Sequence, residues 1–371
     1  MKKTVFLAWL IVLQVVSTNQ IIGQVNVRNY YDPATKLKIK EEFRAVFSNN
    51  DTIKEGKYTF FYENGIPYQT GSFTNNRLEG VWTLFYPDST IKSIISFKNN
   101  LRDGKFISYY ESGAMQVTGV YKGNNLDSIF TEFYESGAVK AKYLYQNNKL
   151  NGFSSSFYEN GHLQSLVYYQ DGIINGSWQT YYESGELNYK GKKYLNHFVD
   201  TLWVYYKNGQ LERLCFYKEG QLNGNFFSYY QNGAKMAEYL YVKDKIEGQA
   251  FRFYESGALA ESGQYINNFK EGIWKAYYPG GQLYSEGNFH LDRYEGIWKV
   301  FYKNGLLRQV GLYENGFSEG EWKFYHENGK LSEKGHYVHD LREGKWNTYN
   351  DKGKKIKIST FKNNEVIETV K

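Results

Sequence analysis

Residues 272–295 read GIWKAYYPGGQLYSEGNFHLDRYE, and this stretch decides the fold. Along its first half Trp274, Ala276 and Tyr278 alternate with Ile273, Lys275 and Tyr277; along its second, Leu283, Ser285, Gly287 and Phe289 share one face. Alternation at period two, abundant aromatics and a glycine-bearing turn argue for two short antiparallel strands. The turn between them, Pro279-Gly280-Gly281, has counterparts elsewhere of the form E-S-G, E-N-G, K-N-G or Q-N-G. Its last glycine takes a positive φ without steric cost, which suits a tight hairpin. No apolar stripe of period 3.6 runs long enough for a helix.

The same unit recurs on both sides of this stretch. Its turn glycine falls at Gly65, Gly113, Gly137, Gly161, Gly185, Gly209, Gly233, Gly257, Gly281, Gly305, Gly329 and Gly353, a beat of 24 residues with Ser89 in one slot. The first aromatic slot, from Phe61 to Tyr349, is Phe or Tyr in all 13 copies, and the second is Tyr in 11, then His326 and Asn350. The glycine that opens the unit holds in 11 of 13 copies, failing at Ser128 and Asp200. A fixed period of this length means stacked copies of one supersecondary unit, each stabilised by its neighbours. The predicted fold is therefore all-β: an elongated repeat array of about 13 antiparallel β-hairpins, with Asn-rich turns such as Asn75-Asn76 and Asn267-Asn268 joining one hairpin to the next. A second glycine (Gly71, Gly119, Gly191, Gly263, Gly287, Gly311, Gly335) shares a face with the Trp and the second Tyr. Glycine weakens a strand unless a large side chain lies over it, so an aromatic from an adjacent strand is expected to cover each one, with the sheet curling towards that face.

Met1-Lys2-Lys3 and the apolar run from Val5 to Val16 fit a secretory signal peptide over residues 1–23, since the run is too short to span a bilayer. Residues 24–55 read as a degenerate N-terminal cap, 56–367 as the array and 368–371 as a C-terminal tail. The formal charge of +6 is spread over alternating Lys and Glu without blocks of one sign, which argues against nucleic acid as a partner. Cys215, alone, forms no intramolecular disulfide and reads as a packed thiol. Around residues 191–206 the aromatics move by one position, to Tyr194 and Trp203, which predicts a local bulge.

The six histidines fall in unrelated slots, and no metal-site, P-loop or nucleophile-elbow spacing occurs. The turn glutamates (Glu63, Glu111, Glu135, Glu159, Glu183, Glu255) are equivalent copies, whereas catalysis needs a few differentiated groups in one place. The expectation is a protein with no catalytic residues, cofactor or metal. Binding is the better reading. The first aromatic of each pair (Phe85, Tyr109, Phe133, Phe157, Tyr181, Tyr205, Tyr229, Phe253, Tyr277, Phe301, Tyr325) points away from the Trp face among polar neighbours. It is either half-buried packing or a ladder open to a protein, a glycan or a lipid layer.

The units Y-Y-P-G-G-Q-L-Y-S-E-G-N-F and E-G-x-W-K-x-x-Y-x-x-N-G resemble MORN-type repeats, most of all the bacterial variant repeat of YwqK-type antitoxin proteins. The resemblance covers about residues 56–367. It implies a single curled sheet of successive hairpins, a role in binding, and for the YwqK type the neutralisation of a partner toxin. The expected function is an exported, non-enzymatic scaffold that binds another protein, in a periplasmic or cell-surface setting. The alternative is a cell-envelope binder of glycan or lipid that uses the aromatic ladder.

Overall fold

The structure, a computed structural model, describes residues 23–48 and 51–371. The expected signal peptide lies outside the described residues except for Gly23. All regular structure among the described residues is β-strand; there is no helix, and so none long and apolar enough to cross a membrane. The chain forms two compact units, residues 1–150 and 151–371. Within each, every strand of six residues or more pairs antiparallel with the next such strand in sequence.

In the first unit, strands Val25–Tyr30 and Ile39–Ser48 pair with each other, and the second of them pairs with Asp51–Phe61. The cap is thus built like a repeat, and its Phe43 and Ala45 share a buried cluster with Tyr58 and Trp82. In the second unit, Phe269–Tyr277 and Leu283–His290 form the hairpin read from the sequence, with Trp274 opposite Gly287 and Tyr277 opposite Leu283. The final strand, Glu365–Val370, pairs with Lys355–Lys362, so most of the residues assigned to a tail belong to a strand.

Both turn types follow from backbone chemistry. In the hairpin turn the Gly281 N–H donates to the Tyr278 carbonyl at 2.8 Å and the Tyr278 N–H to that of Gln282 at 2.8 Å, with Gly281 at φ +85°. This is a type I turn closed by a left-handed residue. Ser89 holds the same conformation at φ +79° although it carries a side chain. In the joining turns both central residues are left-handed, as at Asn75 (φ +50°) and Asn76 (φ +61°), the primed turn that matches the twist of flanking strands.

The opening glycine explains the packing of the tryptophans. It also sits at positive φ (Gly272, +68°; Gly296, +70°), and Ser128 and Asp200 keep that sign at φ +131° and +65°. There the ladder skips: Ser262 pairs with Lys275, but Gln264 pairs with Glu271, leaving three residues opposite Gly263. The slack lets Trp274 lie over Gly263. A Cβ built on Gly71, Gly263, Gly287, Gly311 or Gly335 would come within 2.2, 2.1, 2.2, 2.0 or 2.1 Å of the following Trp82, Trp274, Trp298, Trp322 or Trp346. The indole N–H is satisfied across the same gap, Trp298 donating to the Asn288 carbonyl at 2.8 Å and Trp274 to that of Gln264 at 3.1 Å. Trp82 Nε1 is buried without a partner. An aromatic from the next repeat covers Gly71, Gly119, Gly263, Gly287, Gly311 and Gly335 as expected, whereas Gly191 is covered by Leu202.

Where the glycine slot holds something larger, the pair changes. At Tyr239 the covering slot shrinks to Ala250, itself fully buried. At Ile95 and Val167 the partners Phe106 and Trp178 stand beside them in register. Cys215 takes this slot too, buried with Leu202 and Val204, and burial raises its thiol pKa.

The bulge expected at residues 191–206 is corrected. The register break between Lys190 and Lys192 is the one found between Ser262 and Gln264, so nothing has been inserted. Leu202 fills the tryptophan slot over Gly191, with a contact of 3.1 Å to a built Cβ, and Trp203 lies cross-strand from Lys190, whose Nζ sits 5.6 Å from its ring. The frame tolerates a smaller apolar residue in that slot, and the aromatic moved along the sequence to a different face.

Candidate binding surfaces

Most of the recurring polar residues hold the frame. Where a carboxylate stands before the opening glycine, it accepts a backbone N–H of the next joining turn: Glu79 from Asn99 at 2.9 Å, Glu247 from Asn267 at 2.9 Å, Glu343 from Asn363 at 3.0 Å. The second turn residue reaches back one repeat, as Asn100 Oδ1 does to the Leu78 N–H at 2.6 Å. The hairpin-turn glutamates singled out from the sequence are exposed. His290 and His339 pair with Glu271 and Glu319 at 3.0 and 2.7 Å. Among the described residues no group of three or more His, Cys, Asp or Glu is placed to hold a metal ion.

The second aromatic slot has a duty that the sequence reading missed. In the first unit Tyr62, Tyr86 and Tyr110 donate their hydroxyls to the carbonyls of Phe85, Tyr109 and Phe133, each at 2.9 Å. In the second unit Tyr158, Tyr182, Tyr206, Tyr230, Tyr254, Tyr278 and Tyr302 do the same to Tyr181, Tyr205, Tyr229, Phe253, Tyr277, Phe301 and Tyr325, at 2.7 to 2.9 Å. His326 Nε2 continues the series to the Tyr349 carbonyl at 3.0 Å. The first-slot residues proposed as a binding ladder thus supply the acceptors of this column, from Phe85 to Phe133 and from Tyr181 to Tyr325. All eleven, from Phe85 to Tyr325 and including Phe157, are half-buried.

The apolar groups most open to solvent on that face lie one position after the opening glycine. They are Val81 (60% exposed) and Ile129 (56%) in the first unit, and Phe153 (54%), Ile273 (63%) and Ile297 (54%) in the second. In the other copies the slot is polar: Lys57, Lys105, Ser177, Thr201, Asn225, Gln249, Glu321 and Lys345. The frame therefore places no demand on it, and only that variation marked it in the sequence. Between Ile273 and Ile297 lies a shallow hollow of about 180 Å³, also lined by Glu286, Asn288 and Lys299. Glu286 stands 4.0 Å from Lys275 and 3.3 Å from Lys299.

Burial raises the pKa of Tyr217, Tyr239, Tyr241 and Tyr313, and pushes that of Tyr265 up to about 12. A phenol whose folded pKa exceeds its unfolded value of about 10 keeps its proton more tightly in the native state. Its contribution is fully present below about pH 10 and is lost as pH rises towards about 12. Thermal melts of the 151–371 unit are expected to fall over that window in step with tyrosinate absorbance, and less steeply in Tyr265→Phe.

Eleven segments match the family model described as MORN repeat variant: residues 54–75, 78–99, 102–122, 126–147, 150–171, 174–196, 204–219, 246–267, 270–290, 294–315 and 318–339. No curated protein matches the chain. Among solved structures, the crystal structure of TcdB2-TccC3 is similar over 94% of this chain and 20% of its own, at 11% identity and a TM-score of 0.17. The Photorhabdus luminescens Tc holotoxin pore with a TccC3 substitution is similar over 88% and 19%, at 11% identity and a TM-score of 0.16. The chain spans about a fifth of the length of these structures, and the superpositions are too poor to bear on its fold.

Proposed function

The chain belongs to the MORN repeat variant family, and on that premise we propose that it is an exported, non-enzymatic scaffold that binds another protein and neutralises it in the manner of an antitoxin or immunity protein. One observation carries the binding reading. The slots that hold the frame are nearly constant, whereas the slot after the opening glycine varies and in several copies exposes an aliphatic or aromatic side chain to water. Exposed apolar groups rimmed by charge are the mark of a protein-binding patch. Ile273 and Ile297, flanked by Lys275, Glu286 and Lys299, are the best-formed case. A glycan or lipid reading would use the faces of the first-slot rings, and those rings are half-buried.

Affinity capture from envelope extracts, with the chain starting at Gln24, tests this reading. A stoichiometric protein should be retained by the native chain and lost, by at least about tenfold, from Ile273→Asp plus Ile297→Asp. The captured protein, expressed alone, should arrest growth, and co-expression of this chain should relieve the arrest. Retention on peptidoglycan or polysaccharide with no protein partner would overturn the proposal.

A further inference from the structure

On the face turned away from the indole-over-glycine packing, one row of the second unit is unlike its counterparts. Cross-strand pairing links Lys190 to Trp203, Trp203 to Leu214, Leu214 to Phe227, Phe227 to Glu238 and Glu238 to Phe251. Directly opposed residues share a face, so these six form one continuous row across six strands. Trp203, Phe227 and Phe251 hold the slot just after the tryptophan slot. In the other ten of the 13 copies that slot is Thr, Ile, Ser, Gln, Lys or Asn, as at Thr83, Gln179 and Lys275. The frame therefore asks for no aromatic there, yet three come in succession.

The unit does not cover this row. All its regular structure is strand packed along the ladder, and no second layer lies over it among the described residues. Trp203, Leu214, Phe227 and Phe251 are half-buried, and Leu240 beside them is 39% exposed. Half-burial suits sheet-on-sheet packing, in which the tops of side chains interdigitate across a gap of about 10 Å.

The order of the row selects its occupant. From Lys190 to Glu238 it runs cation, aromatic, leucine, aromatic, anion. A two-fold axis lying along the Leu214 strand turns the row end for end onto a second copy. Lys190 then faces Glu238, Trp203 faces Phe227, and Leu214 faces its own counterpart. An axis laid across the strands would instead set Lys190 against Lys190 and Glu238 against Glu238. The charges are free to meet. Lys190 makes no ion pair among the described residues, and its Nζ lies 5.6 Å from the Trp203 ring. Glu238 is held by Lys235 at 2.8 Å and has a second oxygen to share, as Glu286 is shared by Lys275 and Lys299. Lys192, next on this face, is met by Asp200 at 3.9 Å. Aromatic and aliphatic groups at the centre with charges at the rim are the make-up of a protein interface. We infer that a second copy of this chain docks on this row, face to face, in an isologous dimer. The inference goes beyond the scaffold reading and does not depend on it, because Ile273 and Ile297 lie outside the row.

Sedimentation equilibrium of the full chain should find a dimer at tens of micromolar. Trp203→Ser plus Phe227→Ser should weaken it at least about tenfold, and Ile273→Asp plus Ile297→Asp should leave it unchanged. The axis makes a stricter demand. Lys190→Glu or Glu238→Lys alone sets like charges together at both ends of the row, so each variant should self-associate at least about tenfold more weakly. Mixed in equal amounts, the two should pair with near-native affinity, because each supplies the charge that the other lacks. Both changes lie at the rim and should leave the unfolding curve of the monomer unaltered, which separates lost docking from lost fold. A native chain that stays monomeric at this concentration would overturn the inference. So would a dimer indifferent to the Trp203 and Phe227 changes, or charge variants that associate no better mixed than alone.

Discussion

Replacing Trp298 by alanine is expected to lower the stability of the 151–371 unit by about 3–5 kcal/mol, and adding Gly287→Tyr to that variant is expected to return at least about 2 kcal/mol. Trp298 is nearly buried, lies over Gly287 and donates its indole N–H to the Asn288 carbonyl. Truncating it opens a cavity whose walls, the flat strand and neighbouring rings, are poorly placed to collapse. Gly287→Tyr or Gly287→Val alone builds a Cβ 2.2 Å from the indole, a clash that side-chain rotation does not relieve, so each should destabilise by at least about 3 kcal/mol. The double variant reproduces the pair found naturally at Tyr239 and Ala250. Chemical denaturation of the four proteins gives the coupling directly. Additive losses would show that the two slots do not share one volume.

That pairing bears on what the sequence made legible. The glycine beat, the aromatic slots and the two turn types yielded the hairpins, because each reports a local constraint: a φ sign, a face, a spacing. The covering of Gly287 by an aromatic was legible for the same reason. The compensation between residues eleven apart was present too, in Tyr239 with Ala250, but only the copies that kept the glycine drew attention. The bulge expected near Trp203 failed for a related cause. An aromatic displaced by one position looks like an insertion, yet the strand period permits simple substitution, with Leu202 inside and Trp203 on another face.

The candidate surface was read less well. Alternation places the first-slot rings on the outer face, but it does not say how much water reaches them, because that depends on neighbours across the ladder. The slot after the opening glycine varies from copy to copy, and that freedom is what leaves Ile273 and Ile297 open.

The second large effect concerns the tyrosine column. Changing Tyr206, Tyr230, Tyr254 and Tyr278 together to phenylalanine is expected to lower the stability of the 151–371 unit by about 4 kcal/mol, near 1 kcal/mol for each hydroxyl lost. Each hydroxyl is bonded to the carbonyl of Tyr229, Phe253, Tyr277 or Phe301 in the next repeat, so every substitution weakens a junction between copies. Stability in a repeat array is close to a sum of repeat and junction terms, so the losses should add with little coupling. Changing first-slot Tyr205, Tyr229 and Tyr277 to phenylalanine is the control, and it should cost less than about 0.5 kcal/mol each. The sequence already separates the two slots. The first accepts Phe and Tyr interchangeably, whereas the second is Tyr wherever it is aromatic, and its one imidazole, His326, directs Nε2 at the Tyr349 carbonyl. A slot that distinguishes phenylalanine from tyrosine is selecting for a hydroxyl. If urea denaturation finds the fourfold variant as stable as the native chain, those hydroxyls exchange freely with water and the junctions are held by ladder bonds and ring packing alone.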